Sequence, residues 1–281
     1  KKEEEEEERN GHYLLHDYSE DVLDHYGPDR SIKSSKWGDF LMGIELEVCS
    51  GNRDAALEHT HDTLADGYAI MCEDGSLEDG EGFEIITAPR GLKEHIRRFS
   101  RWEPHHSLVA WDAPGGCCGM HVHIDRKAFG DLTLGKLIEF ICAERNEGLV
   151  KRIAGRHWRT SRQAERYCDG DKVVIGNPVK TLKGKCSSRF HAVNTQPENT
   201  IELRIFRASL NKKRLLAQIE FAHAAVFFCR QASMGELTEA VFRAWLADGA
   251  GQIYRHLAAW LGIPIRGKKR TPQSPAQALA A

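Results

Sequence analysis

Three short stretches each carry two chemically active side chains around an apolar residue: Glu45-Leu46-Glu47, His121-Val122-His123 and Glu202-Leu203-Arg204. In a β-strand, positions i and i+2 share a face. Each stretch therefore presents one charged face and one apolar face. Carboxylates crowded on a single sheet face repel and raise one another's pKa, so a cluster of Glu45, Glu47, Glu84 and Glu202 implies a compensating cation. Oxygen-rich ligation with a single imidazole suits Mg²⁺ or Mn²⁺ better than structural Zn²⁺. Such ions commonly arrive with substrate phosphates, for which Arg204, Arg207 and Arg189 are suitable partners. Taken singly, Glu-x-Glu reads as a solvated strand edge, and Glu-x-Arg as a surface pair worth about 0–1 kcal/mol. Taken together, on strands whose other face is apolar, the motifs point to a metal–nucleotide site on a concave sheet.

The elements that must position these groups are legible as periodicities. Residues 40–48 alternate, with Met42, Ile44, Leu46 and Val48 on one side and Gly43, Glu45 and Glu47 on the other, the period of a strand. Further strands are expected over 68–72, 83–87 and 120–125, and a hairpin over 190–194 and 200–207 turns around residues 196–199. Helical spacing marks 52–66, 92–102, one long helix over 132–153, and helices over 211–232, 236–247 and 251–261; a short helix within 18–26 is a weaker expectation. The fold class is α+β: an antiparallel-type sheet with helices packed on one face and a helical C-terminal part. The expected organisation is a polar tail over 1–36, with order starting at Trp37, a single domain over 37–265, and a basic tail over 266–281. The Gly-containing basic stretch 155–187 reads as a long loop, of the kind that serves as a binding loop or lid.

Composition narrows the classes. The 281 residues carry a net charge of −2, and residues 1–9 alone contribute −3 (three basic, six acidic), leaving the rest near +1. A broad nucleic-acid footprint needs a strong positive excess. The basic stretches keep a nucleic-acid-linked substrate open without arguing for one. No apolar run approaches membrane-spanning length, the N-terminus lacks the apolar core of a signal peptide, and eight cysteines without Cys-x-x-Cys spacing read as reduced thiols of a cytoplasmic protein.

The motifs resemble a known family. Residues 43–47 (Gly-Ile-Glu-Leu-Glu), 119–123 (Gly-Met-His-Val-His) and 200–206 (Thr-Ile-Glu-Leu-Arg-Ile-Phe) look like signature strands of the glutamine synthetase fold, and are closest to the amidoligases, carboxylate–amine ligases often found in phages and mobile elements. Residues 74–77, 82–89 and 189–194 add supporting matches, and the resemblance covers about 39–210 in order. It implies ATP with Mg²⁺ or Mn²⁺. Glu45, His121 and Glu202 would hold the ion bridging the β- and γ-phosphates, and Glu47 and Glu84 the ion nearer the acceptor carboxylate. His123 would reach a phosphate, and Arg204 and Arg189 would stabilise the transferring phosphoryl group. Asp74 would bind or deprotonate the amine, or only cap its turn. The implied reaction joins a small-molecule, peptide or protein carboxylate to an amine through an acyl phosphate. Glutamine synthetase has a larger acidic ligand set, and Glu73, Glu78 and Glu81 are candidates for the missing member.

Two other classes compete. His121-Val122-His123-Ile124-Asp125 is also similar to the His-x-His start of amidohydrolase barrels, and Cys117, Cys118, His121 and His123 would make a structural zinc set, although adjacent cysteines give it poor geometry. A non-catalytic nucleotide- or metal-binding descendant of the fold is the third reading.

Overall fold

The computed structural model describes residues 14–17, 19–36, 38–75, 77, 82–110, 118–155 and 191–265. In chain order the strands are β1 (Leu15–His16), β2 (Met42–Ser50), β3 (Ala69–Cys72), β4 (Gly82–Thr87), β5 (Leu108–Val109), β6 (Gly119–Asp125), β7 (Val193–Asn194) and β8 (Thr200–Arg207). The α-helices are α1 (Val22–His25), α2 (Arg53–Thr60), α3 (Leu92–Arg101), α4 (Asp131–Cys142), α5 (Glu147–Ala154), α6 (Lys212–Gln231), α7 (Glu239–Ala247) and α8 (Arg255–Leu261). A π-helical turn, His61–Ala65, extends α2.

One sheet runs in the order β1–β3–β4–β2–β6–β8–β7, with β5 pairing off β2. All its pairings are antiparallel except β1 with β3. The period-two pattern holds at its centre. Met42, Ile44, Leu46 and Val48 of β2, Phe83 and Ile85 of β4, and Met120, Val122 and Ile124 of β6 are buried in one core with the helices. The intervening positions turn Glu45, Glu47, Glu84, His121 and His123 to the opposite face. Helix α6 is the hub of the helical layer and packs against α3, α4, α5 and α8. Leu215, Ile219, Phe221, Val226 and Phe228 are buried, and so are Gln218 and Glu220. A helix buried all round belongs in the interior of a layered domain. Phe228 and Phe242 meet edge to face at 5.1 Å, and Phe140 lies 5.2 Å from each.

Three expectations are corrected. The sheet starts before Trp37: Leu15 and His16 pair with Met71 and Cys72, so part of the polar 1–36 stretch belongs to the fold. Helices are not confined to one face, because Val22 of α1 packs on Ile70, Cys72 and Ala88 on the other side of the sheet. The long helix over 132–153 is two helices. Ala143 is extended (ψ 134°), and the buried Asn146 side chain donates to the carbonyls of Phe140 (3.0 Å) and Leu237 (2.9 Å) while accepting from the amide of Glu239 (2.8 Å). A polar side chain that satisfies three backbone groups fixes the break. Gly155, at φ 78°, ends α5 in the left-handed cap that glycine accommodates. The acidic 1–9 segment, all but Gly155 of the stretch 155–187 expected as a loop, and residues 266–281 expected as a tail lie outside the described residues, as do Arg189, Cys117, Glu78 and Glu81. Among the described residues, no helix is long and apolar enough to cross a membrane.

Candidate functional site

The face of the sheet turned away from α6 opens into a cleft of ≈ 1190 Å³. Glu45, Glu47, Asp74, Glu84, His121, His123 and Arg204 line it together. The register explains the convergence. Glu45 pairs with His121 and Gly43 with His123 across β2/β6; Glu47 pairs with Glu84 across β2/β4; His123 pairs with Glu202 across β6/β8.

His121 is the pivot. Its Nδ1 lies 3.1 Å from Glu45 Oε2 and 3.6 Å from Glu202 Oε1, while its Nε2 faces Glu47 Oε1 at 3.9 Å. Two groups of donor atoms form around it: Glu45, His121 and Glu202, and Glu47, Glu84 and His121, each with ligand atoms within 4.8 Å of one another. A neutral imidazole offers one lone pair and one N–H. His121 can therefore ligate one ion through one nitrogen while the other nitrogen donates toward the second group.

The surrounding hydrogen bonds orient these groups. Asn194 Nδ2 donates to Glu202 Oε2 at 2.6 Å, and Arg204 Nη1 donates to Glu202 Oε1. The amide of Gly119 donates to Glu47 Oε2. His123 Nδ1 meets Thr200 Oγ1 at 3.1 Å, and its Nε2 pairs with Glu45 Oε1 at 2.8 Å. Arg126 ties down the β7–β8 connection, donating from Nη2 to the carbonyls of Thr195 and Pro197 at 2.7 Å each.

The charges are unbalanced in an informative way. Burial and then the charges of Glu45, Glu47 and Asp74 push the Glu84 carboxyl well above its ordinary range. Burial also pushes Glu45 up, but the His123 and His121 imidazoles outweigh it and hold Glu45 well below that range. For His123, burial disfavours the charged ring, yet the Glu45 carboxylate wins and raises it to about 9. His123 is thus a cation at neutral pH, whereas Glu84 faces carboxylates with too little positive charge around it.

The expected site residues fall into three groups. Glu45, Glu47, Glu84, His121, His123, Glu202 and Arg204 come together, and Asp74 joins them at the cleft wall after β3. Arg207 does not reach the cleft. Its side chain lies against the end of α5, where a Cβ on Gly155 would meet Arg207 Cδ and Nε at 2.8 Å. Arg189 lies outside the described residues. Thr200 and Asn194 were missed as orienting groups, although Thr200 sits two positions before Glu202 and so shares its face.

The competing readings lose ground here. β6 is flanked by antiparallel partners on both sides, so His121 and His123 do not start a parallel barrel. Cys118, just before β6, is buried in the hydrophobic core with its Sγ 3.6 Å from Cys49 Sγ. Burial pushes the Cys72 thiol up to about 12, which makes it a poor nucleophile.

No family model matches the sequence, and no curated protein does. Among solved structures, it is similar to one of the complex between the prokaryotic ubiquitin-like protein Pup and its ligase PafA, at 12% identity and a TM-score of 0.38. The match covers 86% of this chain and 62% of that chain, so the chain spans less than two thirds of its length. Likeness of this degree leaves the chemistry to be argued from this chain's own side chains.

Proposed function

We propose that the chain is an ATP-dependent carboxylate–amine ligase that forms an amide bond through an acyl phosphate. The observation that carries this reading is the convergence, in one cleft, of two carboxylate groups sharing His121 with a cationic His123 and the Arg204 guanidinium beside them.

The donor set fits divalent ions. Glu45, Glu202 and His121 Nδ1 would hold one, and Glu47 and Glu84 a second. Gly119 supports the fit: a Cβ there would stand 3.3 Å from His121 Nε2 and 3.4 Å from both Glu47 oxygens, in the space between them. Bound there, Mg²⁺ or Mn²⁺ would neutralise the phosphate charge of ATP.

The remaining roles belong to the chain. His123, kept protonated by Glu45 and oriented by Thr200, donates to a phosphate oxygen. Arg204 stabilises charge on the phosphoryl group as it moves from ATP to the substrate carboxylate, with ADP leaving. The incoming amine attacks the acyl carbon, phosphate departs, and Asp74 is the carboxylate proposed to take the amine's proton. Such chemistry rests on positioning and charge neutralisation and needs no protein nucleophile. The substrates are a small-molecule, peptide or protein carboxylate and an amine.

The test is an ATP-consumption screen over carboxylates and amines with Mg²⁺ or Mn²⁺, with hydroxylamine added to intercept acyl phosphate as a hydroxamate. Glu45→Gln and Glu202→Gln are expected to abolish both signals. Activity surviving both substitutions overturns the assignment, and metal-dependent ATP binding without turnover across the panel favours a non-catalytic descendant.

A further inference from the structure

A second cluster lies on the N-terminal segment, across the β1–α1 connection. His16 Nδ1 and His25 Nε2 both approach the same oxygen, Glu20 Oε2, at 2.9 and 3.0 Å. The two rings meet edge to face with centroids 4.4 Å apart, and the three ligand atoms fall within 4.8 Å of one another. Zinc bonds to imidazole nitrogen and carboxylate oxygen at about 2.0–2.2 Å, so atoms at two corners of a tetrahedral site stand about 3.3 Å apart. Side-chain rotations that open the two short contacts by a few tenths of an ångström and bring the two ring nitrogens, already within 4.8 Å, to a like distance would produce that spacing.

We propose that His16, Glu20 and His25 form a site for a borderline transition-metal dication, with Zn²⁺ the best fit and solvent completing the coordination. Two imidazoles and one carboxylate select against Mg²⁺, which prefers oxygen donors. The chemistry thus differs from that of the carboxylate-rich cleft, and this site does not depend on the ligase reading.

The location gives such an ion a structural consequence. Helix α1 has four residues, of which only Val22 is buried, and β1 pairs with β3 over two residues. Leu14 and Leu15 anchor the start of the segment in the main core and Val22 its helix, but between them residues 17 and 19–21 are held by polar contacts, and exposed His–Glu pairs contribute little by themselves. An ion joining His16 of β1 to His25 of α1 would staple the segment across residues 17–24. Ser19, Glu20, Asp21, Val22 and Leu23 form part of the cleft wall, so the staple would fix the wall that faces the sheet's carboxylates.

The experiment is a Zn²⁺ titration of the full chain against a chromophoric chelator, in excess Mg²⁺, on wild type, His16→Ala, His25→Gln and Glu45→Gln. Because the cleft donors can also take Zn²⁺, the readout is the equivalent that depends on His16 and His25: wild type should bind one equivalent more than either histidine variant, and Glu45→Gln should keep that equivalent. His16→Ala and His25→Gln should each weaken binding at least about tenfold, the effect typical of losing a metal-site interaction. Amide exchange over residues 14–26 should slow on Zn²⁺ addition in wild type and stay unchanged in His25→Gln. The exposed His25 at the end of α1 keeps the test independent of β1 folding. A Zn²⁺ stoichiometry unchanged by both histidine substitutions, or slowed exchange over residues 14–26 that disappears in Glu45→Gln, overturns the proposal.

Discussion

Replacing Glu84 by glutamine separates a carboxylate kept for a cation from one kept for the fold. Glu84 stands directly opposite Glu47 across β2/β4, and both are buried. Like charges in that position cost roughly 0.2–1 kcal/mol, and burial adds to the cost of ionising Glu84. Glutamine keeps the shape and removes the charge, so in chelator the variant should be more stable by about 1 kcal/mol, or about 2 °C in Tm. Metal reverses the order. At a concentration of about 100 Kd, wild type gains about 2.7 kcal/mol; a tenfold loss of affinity from the missing anionic ligand would leave the variant about 1.4 kcal/mol. The difference of about 1.3 kcal/mol exceeds the variant's head start by the same linkage, so the two melting curves should exchange places. The pH dependence has a definite sign. The folded pKa of Glu84 is raised, so its contribution to stability is fully present below the unfolded value and is lost as pH rises through the folded one. In chelator, wild type should therefore lose stability relative to the variant toward alkaline pH, and Mg²⁺ or Mn²⁺ should cancel that loss by competing with the proton. Differential scanning fluorimetry with chelator and with metal, at several pH values, reads all of this. A variant that is less stable in chelator, with an unchanged response to metal, would refute the reasoning and make Glu84 a group kept for the fold.

Gly119→Ala should leave the fold intact and weaken Mg²⁺-dependent ATP binding at least about tenfold, because its methyl would stand in the space between His121 Nε2 and Glu47; unchanged metal titrations would show that no ion needs that space. Burial pushes Glu220 from an ordinary 4.5 to about 7, so its contribution is present below about pH 4.5 and lost as pH rises through about 7; urea denaturation of Glu220→Gln should show an advantage over wild type that grows across this window to at most about 3 kcal/mol and then levels off. Asn146→Ala leaves the amide of Glu239 and the carbonyls of Phe140 and Leu237 without this partner, which should cost about 3 kcal/mol in the same assay.

Much of the sheet was legible because its central strands are buried on one face only. The alternation of Met42, Ile44, Leu46 and Val48 with Glu45 and Glu47 fixed which side chains meet, and the same parity in β4 and β6 brought Glu84 and His121 to them. The N-terminal strand was not legible. Leu15 and His16 form two residues of a parallel pair in a polar stretch, too short to show any period. The break at Ala143 was hidden for the opposite reason: the apolar spacing of 132–153 continues through it, and the turn depends on Asn146 finding the carbonyl of Leu237, far away in sequence. Asn194 carried no signal of its own and Thr200 only its parity with Glu202, since a strand amide or hydroxyl is common and the register is what shows that one meets Glu202 and the other His123.

The register of β8 holds what period two cannot show. Glu202, Leu203, Arg204, Ile205 and Phe206 alternate cleanly, and by parity alone Phe206 would share the polar face with Glu202 and Arg204. The β6/β8 register shifts between Met120 and Val122: Val122 pairs with Leu203, but Met120 pairs with Phe206. Two residues of β8, Arg204 and Ile205, thus stand opposite His121 alone, which is the geometry of a β-bulge. Beyond it the alternation inverts. Ile205 and Phe206 are both fully buried, with Phe206 edge to face against Phe221 of α6 at 6.3 Å. The extra residue removes an aromatic ring from the polar face and leaves Arg204 beside Glu202 at the cleft. Past the bulge Arg207 pairs with Gly119, and its side chain lies against the end of α5. Three positions apart, the two arginines do not share a face by period two; Arg204 lines the cleft, and Arg207 does not.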